Sequence, residues 1–297
     1  LLENFESGHN ELLNTHTQYF EQVLRNGANL ADNSASFIKD NPNLDEKKLE
    51  KILKDIIRSE KVIYGADIAF EPGVYKGRER FAPFYFETKD TVGYFDLSDS
   101  KFEYDYRDIK HKWYNIPATT KKPYWSEPFY SGVLKGTKII TYSTPILDGD
   151  KFLGVVVVDY ALDELDEYLR SSFDTGTQRF IILSKEGKYI SHPDKSKIVD
   201  LSFLDDTTSI VENEDKGTLL KSILSGDNGY VRVKKKNSDE NILAFYSSIP
   251  VSGWNIVAYE LEDSLTAPIN DIFRKAFYAL LFFFIISFFA VSFITGK

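Results

Sequence analysis

YDYRDIKHKWYNIPATTKKPYWSEPFYSGVLKGTKIITYSTPILDGDKFLGVVVVDY, residues 104–160, is the stretch of sequence that decides the fold. Its first half mixes aromatic residues with charges and prolines, which excludes one continuous helix or a central strand. Its second half predicts two strands, residues 137–145 and 151–159, with a hairpin turn at Asp148-Gly149-Asp150 between them. An irregular aromatic loop over a sheet can wall a small-molecule pocket, because rings bury large areas at low entropic cost.

The composition of the whole chain narrows the classes of function. Its 297 residues suffice for two modest domains, and 42% hydrophobic with 27% charged residues is ordinary for a globular protein. A net charge of −9 disfavours nucleic-acid binding, which usually needs a basic surface. The sequence has no cysteine, no catalytic motif and no histidines at metal-ligand spacing. We therefore expect no enzymatic activity, no metal and no cofactor.

Helical patterns come first along the chain. Apolar and small residues recur at steps of three and four over residues 1–40, and Asn41-Pro42 ends the pattern. A helix of this length, at about 1.5 Å per residue, is too long for one small domain to cover. It either spans two stacked domains as a spine or pairs with another chain; packing only within its own chain is the alternative. Capping-box spacing at residues 43–46 predicts a second helix over 47–59, so residues 1–60 form a helical segment.

Strand patterns follow in two unequal blocks. The first block, residues 61–172, holds the aromatic stretch and its hairpin, preceded by predicted strands at 62–70, 81–87 and 91–97. The polar residues 171–177 mark a boundary, and the second block, residues 173–260, repeats the order of strands and turns more weakly. Antiparallel strands with flanking helices predict an α+β fold.

The C-terminal part of the sequence is helical and then strongly apolar. Residues 261–275 predict a connecting helix. Residues 276–295 contain no charged side chain, and about 30 Å of such helix matches the core of a bilayer. We expect a transmembrane helix over residues 276–295, with a fully buried helix of a soluble protein as the alternative.

Four segments of the deciding stretch also resemble a known family. WYNIP (113–117), PYWSEPFY (123–130), TYSTPI (141–146) and FLGVVVVDYALDEL (152–165) resemble, in order and spacing, the double Cache domain. That domain is the extracytoplasmic sensor of bacterial chemoreceptors, histidine kinases and diguanylate cyclases. GKYISHP (187–193) and SIPVSGWNIV (248–257) resemble its second repeat.

The resemblance implies an architecture and a location. It implies a long N-terminal helix followed by two PAS-like (Cache) modules, a membrane-distal ligand-binding module at 61–172 and a membrane-proximal module at 173–260. It further implies a homodimer in the cell (inner) membrane, with residues 1–275 extracytoplasmic and a small molecule as ligand.

The candidate ligand-binding residues are rings and polar groups of this stretch. An acid at the end of the apolar strand VVVVD can accept charge-assisted hydrogen bonds from an ammonium group, or it can cap the helix that follows. The rings can enclose a ligand or serve as core. Tyr142 and Ser143 are adjacent on the strand predicted over residues 137–145, so one of the two side chains must face inward. The candidates are Tyr106, Trp113, Tyr114, Trp125, Tyr130, Tyr142, Ser143 and Asp159.

One departure from the family pattern bears on the ligand. Amino-acid-binding Cache domains carry an arginine two residues before the Trp-Tyr pair, where this chain has His111 between Lys110 and Lys112. A lysine lacks the bidentate fork of arginine, although Arg80 or Arg107 could reach the site from elsewhere. The sequence therefore favours an amine or another small polar metabolite over an amino acid. The competing hypotheses are a membrane-anchored structural or adhesion module and a solute-binding or enzymatic ectodomain.

Overall fold

Helix α1, Leu2–Asp40, packs against both of the β-sheets that the described residues form. The computed structural model describes residues 2–99, 101, 104–172 and 179–295. Phe20, Leu24 and Ala31 on α1 share one apolar core with side chains from the two sheets. The predicted α+β fold with a long N-terminal helix is therefore confirmed, and α1 is a spine that joins the two sheets.

A second helix, α2 (Glu46–Ser59), follows after a short turn. Its cap is Asp45, whose side chain accepts a 2.8 Å hydrogen bond from the backbone N–H of Lys48. The capping box predicted from Asn43 is thus wrong by two residues. Leu49 and Leu53 lie on the buried face of α2 and pack against the first sheet.

The first sheet has seven strands, all paired antiparallel, in the order β3-β2-β1-β7-β6-β4, with β5 also paired to β6. The predicted hairpin is confirmed: Asp148 pairs with Lys151 across its turn. The elements are β1 (Ile63–Phe70), β2 (Pro83–Glu87), β3 (Val92–Asp96), α3 (Lys112–Thr120), β4 (Tyr124–Trp125), β5 (Phe129–Tyr130), β6 (Lys138–Asp148), β7 (Lys151–Ala161) and α4 (Leu162–Ser172).

The second sheet has five strands in the order β10-β11-β12-β8-β9. We call the part of the chain built on the first sheet the first module and the part built on this sheet the second module. The boundary predicted at 171–177 falls mostly outside the described residues. The elements are β8 (Arg179–Leu183), β9 (Tyr189–Ser191), α5 (Asn213–Ile223), β10 (Gly229–Lys234), β11 (Asn241–Ile249) and β12 (Trp254–Leu261).

A single helix, α6 (Glu262–Thr295), begins at the residue after β12. It covers the connecting helix predicted over 261–275, except for Leu261, which ends β12, and the membrane span predicted over 276–295; the side chains of residues 288–295 lie outside the described part. Within the residues that the structure describes, none of the helices is both long and apolar enough to cross a membrane.

Candidate functional site

A cavity lies between one face of the first sheet and the aromatic segment that covers it. It encloses about 350 Å³ free of protein atoms, counting space open to solvent, of which about 30 Å³ can hold the centre of a water molecule. The free space inside the pocket is therefore small and holds no more than a few waters. Its lining is formed by Asp67, Phe84, Leu97, Tyr104, Trp113, Phe129, Ser131, Gly132, Val133, Ile139, Thr141, Val157 and Asp159.

Strand pairing explains why two acids meet in this cavity. In the register of the sheet, Asp159 on β7 lies opposite Thr141 on β6, and Asp67 on β1 lies opposite Val157 on β7. Side chains two apart on a strand share a face, so these four residues project to the same side. The pocket floor is thus an acidic patch set into an otherwise apolar strand face.

Burial dominates the electrostatics of the acid pair. Asp159 is 6% exposed, and desolvation raises its pKa to about 7, opposed by a 2.6 Å hydrogen bond that Oδ1 accepts from the hydroxyl of Thr141. Desolvation and the nearby charge of Asp159 raise the pKa of Asp67 well above its usual range. Asp67 is 3% exposed, and its Oδ1 has no partner among the described residues. Asp67 is not among the site residues predicted from the sequence, although an acid within the apolar run VIYGADIAF is a visible signal.

Helix α3 places one predicted ring over the acids. Trp113, near the start of α3, lines the cavity and packs edge-to-face against Tyr114 at a centroid distance of 5.9 Å. Tyr114 donates its hydroxyl proton to Glu71, and Tyr106 donates to the backbone oxygen of Phe70. Trp113 therefore forms part of the roof of the cavity, the side that covers the sheet. Tyr106 and Tyr114 do not line the cavity, and Tyr114 packs against Trp113 outside it.

Two further rings that the sequence did not single out complete the roof. Tyr104 and Phe129 both line the cavity. The Tyr104 ring lies 4.4 Å from the ring of His111, and burial lowers the pKa of His111. His111 itself is not part of the lining of this cavity.

The arginines considered as substitutes are held elsewhere. Arg107 donates to both carboxylate oxygens of Asp105, and Arg80 lies 3.9 Å from the same carboxylate. Neither lines the cavity. Among the described residues of the lining there is no lysine, arginine or histidine, so none of these side chains can form an ion pair with a carboxylate on a ligand.

The remaining candidates lie outside the pocket. Tyr142 faces α1, where its hydroxyl donates to Asp32 at 2.9 Å, and Trp125 packs edge-to-face on Trp254 of the second module at 5.1 Å. Ser143 belongs to the pocket side of β6 but not to the lining, and its buried hydroxyl has no partner among the described residues. Tyr130 is 44% exposed and bonds to the second module.

The second module lacks the acid pair. Counting back from the helix that follows each strand, Tyr259 on β12 corresponds to Asp159 on β7. By register, the positions that match Thr141 and Asp67 are Ala244 and Ile181. All three side chains lie in the apolar core of that module. No group of acidic and histidine side chains in the described part of the chain is arranged to hold a metal ion.

The chain is similar to bacterial receptors of known type. It is 26% identical over 208 residues to the methyl-accepting chemotaxis protein McpC of Bacillus subtilis (strain 168), a match that covers 68% of this chain and 28% of that relative. The chain thus spans about a quarter of the length of the curated relative it matches.

Solved structures share the fold over most of the chain. The extracellular domain mmHK1S-Z3, assigned to a histidine kinase, superposes with a TM-score of 0.75 at 18% identity, covering 90% of this chain and 98% of that one. The ligand-binding domain of the Campylobacter jejuni chemoreceptor Tlp3 in complex with L-valine gives 0.61 at 17% identity, covering 89% and 96%. The model of the methyl-accepting chemotaxis protein-like, first PDC sensor domain matches residues 49–167, which contain both acids of the pocket. Residues 49–167 of the chain are therefore similar to the chemotaxis-protein-like PDC sensor domain family.

Proposed function

We propose that this chain is the extracytoplasmic ligand-sensing region of a bacterial transmembrane signalling receptor and that its first module binds a small polar metabolite carrying an amino group. The observation that carries the proposal is the buried Asp159, which faces an aromatic cavity beside a second acid. A carboxylate among ring faces suits an ammonium group, through charge-assisted hydrogen bonds and cation–π contact. The function is binding and signalling rather than catalysis.

Similar proteins support this assignment. The Tlp3 domain was solved with L-valine, and the domain of the Pseudomonas aeruginosa PAO1 chemoreceptor PctB was solved with L-Arg. Both ligands carry an amino group. The free space inside the cavity of this chain is small, so a ligand larger than a few waters requires the roof of Tyr104, Trp113 and Phe129 to move.

The path of the signal follows from continuity of the backbone. Strand β12 ends at Leu261 and α6 begins at Glu262, so a shift of the second sheet displaces the helix directly. The large apolar side chains of α6 from Phe277 to Ile286 are exposed, which supports a membrane anchor over residues 276–295. Tyr19 and Phe37 are exposed on α1, which supports a homodimer along this helix. Ligand binding then shifts the population between two arrangements of the dimer.

Thermal-shift screening of the purified chain against small metabolites, followed by calorimetry, tests the proposal. We expect a ligand whose affinity falls at least about tenfold in Asp159→Ala and in Trp113→Ala, because each change removes a direct contact worth about 1.5 kcal/mol or more. Tyr142→Phe, on the opposite face of the sheet, is the matched control and should bind normally. Unchanged binding in both pocket variants would refute the pocket, and no ligand at all would favour the structural or adhesion alternative.

A further inference from the structure

A buried polar cluster lies in the second module, outside the pocket described above. At its centre is Asp206, whose side chain is 1% exposed. Its Oδ2 accepts a 2.7 Å hydrogen bond from Nζ of Lys197 and a 2.9 Å hydrogen bond from the hydroxyl of Tyr189. Its Oδ1 accepts from the backbone N–H and from the hydroxyl of Thr208, both at 2.9 Å. The carboxylate therefore has four donors, one of which is an ammonium group.

These donors outweigh the effect of burial on the carboxylate. Burial alone would raise the pKa of Asp206, but the ammonium group of Lys197 and the other donors lower it to about 2. Asp206 is therefore ionised at neutral pH. Lys197 is only 8% exposed, and an ion pair at such depth persists where further hydrogen bonds satisfy its polar atoms. Removal of the ammonium group would leave an uncompensated charge inside the module.

The cluster lies in the second module where the cavity lies in the first. Tyr259, which corresponds by position to Asp159, is close to it: burial, and then the charge of Asp206, raises the pKa of the Tyr259 phenol. Tyr189 and Tyr259 share one apolar core with side chains of the segment 192–223, which covers this face of the second sheet. The first module thus holds a cavity under its cover, and the second module holds an ion pair there.

Two more lysines fasten the loop that carries the carboxylate. Lys216 on α5 is 2% exposed and donates from Nζ to the backbone oxygen of Asp206. Lys236, in the turn between β10 and β11, donates from Nζ to the backbone oxygen of Thr207. Of these three lysines, Lys197 is the one that pairs with the carboxylate. The carboxylate is therefore the site of a single ammonium group, while backbone oxygens hold the other two.

We infer that Asp206 and Tyr189 form a cation site in the second module and that the side chain of Lys197 is its built-in ligand, which holds the cover segment of this module in place. The inference goes beyond the proposed function and does not depend on it, because it concerns residues of the second module alone. It implies a division of roles between the modules. The second module needs no ligand from outside to stay closed, and it can pass on a displacement of the first module as a preformed unit.

Replacement of the lysine by alanine should turn this internal contact into a measurable binding site. Lys197→Ala keeps Cβ and removes the rest of the side chain, which has the outline of n-propylammonium. We expect the Tm of the variant to fall by at least about 5 °C, because a buried carboxylate loses its counter-charge. About 50 mM n-propylammonium chloride should then raise the Tm of this variant by about 2–4 °C, measured by scanning calorimetry at neutral pH.

Matched variants and additives isolate the site. Lys197→Met fills the space without a charge, and Lys195→Ala removes an exposed lysine from the same short helix, Lys195–Lys197. Neither should respond to the amine more than the unmodified protein does. A shift in the unmodified protein itself reports binding elsewhere, including the first-module pocket, so failure of this inference leaves the proposed function untouched. Sodium chloride and 1-propanol at equal concentration control for salt and for an uncharged molecule of the same shape.

The response of the alanine variant decides the inference. A stabilisation confined to Lys197→Ala, and abolished when Asp206→Asn is added, supports it. A folded Lys197→Ala that ignores n-propylammonium, or that responds equally to 1-propanol, would overturn it.

If Lys197→Ala does not fold, the unmodified protein gives the decision. Acetic anhydride should modify Lys197 at least about tenfold more slowly than the exposed Lys195, because the amine must first be released by local opening. Peptide mass spectrometry measures both rates. Equal rates would show that Asp206 does not hold the lysine and would overturn the inference.

Discussion

The hydroxyl of Tyr130 donates a 2.7 Å hydrogen bond to Oδ2 of Asp200, which ties the wall of the pocket to the second module. Tyr130 follows Phe129, whose ring lines the cavity. Its strand partner Lys138 donates from Nζ to the backbone oxygen of Lys195 at 2.6 Å. A displacement of Phe129 by a ligand therefore acts on two bonds to the second module, in addition to any effect through α1.

Removal of the Tyr130 hydroxyl should loosen this link without unfolding the protein. A partly exposed hydrogen bond contributes about 0.5–1.5 kcal/mol, so we expect amide exchange around residues 195–200 to accelerate about two- to tenfold in Tyr130→Phe. Hydrogen-exchange mass spectrometry measures the effect. Tyr94→Phe, at a similarly exposed tyrosine on β3, is the control. Equal exchange rates in the two variants would show that this bond does not hold the modules together.

The pocket acids give the stability of the empty protein a characteristic pH dependence. Burial raises the pKa of Asp159 from 3.8 to about 7, and the pKa of Asp67 is raised well above 3.8 as well. Between these values the folded state binds more protons than the unfolded state. The contribution of the two groups to the free energy of unfolding is therefore complete below about pH 4 and is lost as the pH rises through 7.

Asp67→Asn should reveal this contribution as a difference from the unmodified protein. We expect the variant to be more stable by about 1–3 kcal/mol at pH 7.5, because it no longer has to take up a proton on folding to keep this buried carboxyl neutral, and nearly equal in stability at pH 4. Urea unfolding at both pH values measures the difference, and Asp148→Asn is the surface control. A difference of the same size at both pH values would mean that packing, and not ionisation, is responsible.

Local sequence patterns predicted most of the fold because they depend on neighbours in the chain. The periodicity of α1 and the turn at Gly149 are such signals. The site depends on contacts between distant segments: Asp67 and Asp159 meet only through the pairing of β1 with β7. Alternation along β6 predicts that Tyr142 and Ser143 face opposite sides of the sheet. It does not predict which side α1 covers, and α1 lies on the side of Tyr142. Helix α3 escaped prediction because it is short and contains Pro117.

Replacement of a glycine on a central strand of the first sheet should destabilise the protein strongly. Gly154 on β7 has a φ of +148°, and a Cβ there would lie 2.4 Å from the backbone oxygen of Ala69 on β1. Because backbone cannot move aside, we expect Gly154→Ala to cost at least about 2–3 kcal/mol of stability. Gly149, with a φ of +57° and open space around it, is the matched control and should cost about 1 kcal/mol. Chemical denaturation compares them; equal costs would contradict the steric argument.

The contact of α1 with the first sheet depends on Gly27. A Cβ at this position would lie 2.1 Å from Oη of Tyr160, which donates a 3.3 Å hydrogen bond to the backbone oxygen of Leu24. Alanine favours a helix by about 1 kcal/mol over glycine. We nevertheless expect Gly27→Ala to destabilise the protein, since Tyr160 is fully buried and has little room to move.

Tyr160→Phe should partly rescue Gly27→Ala. Loss of the hydroxyl leaves the ring carbon Cζ and Ile63 Cδ1 as the nearest atoms, both 3.2 Å from the new Cβ, a contact that small shifts can relieve. The double variant should therefore be more stable than the sum of the two single changes by at least about 1 kcal/mol, measured by urea unfolding as a double-mutant cycle. Additive effects would contradict this expectation. They would mean that α1 moves away from β7 as a rigid body to accommodate the new Cβ, so that the Tyr160 hydroxyl does not decide the cost of Gly27→Ala.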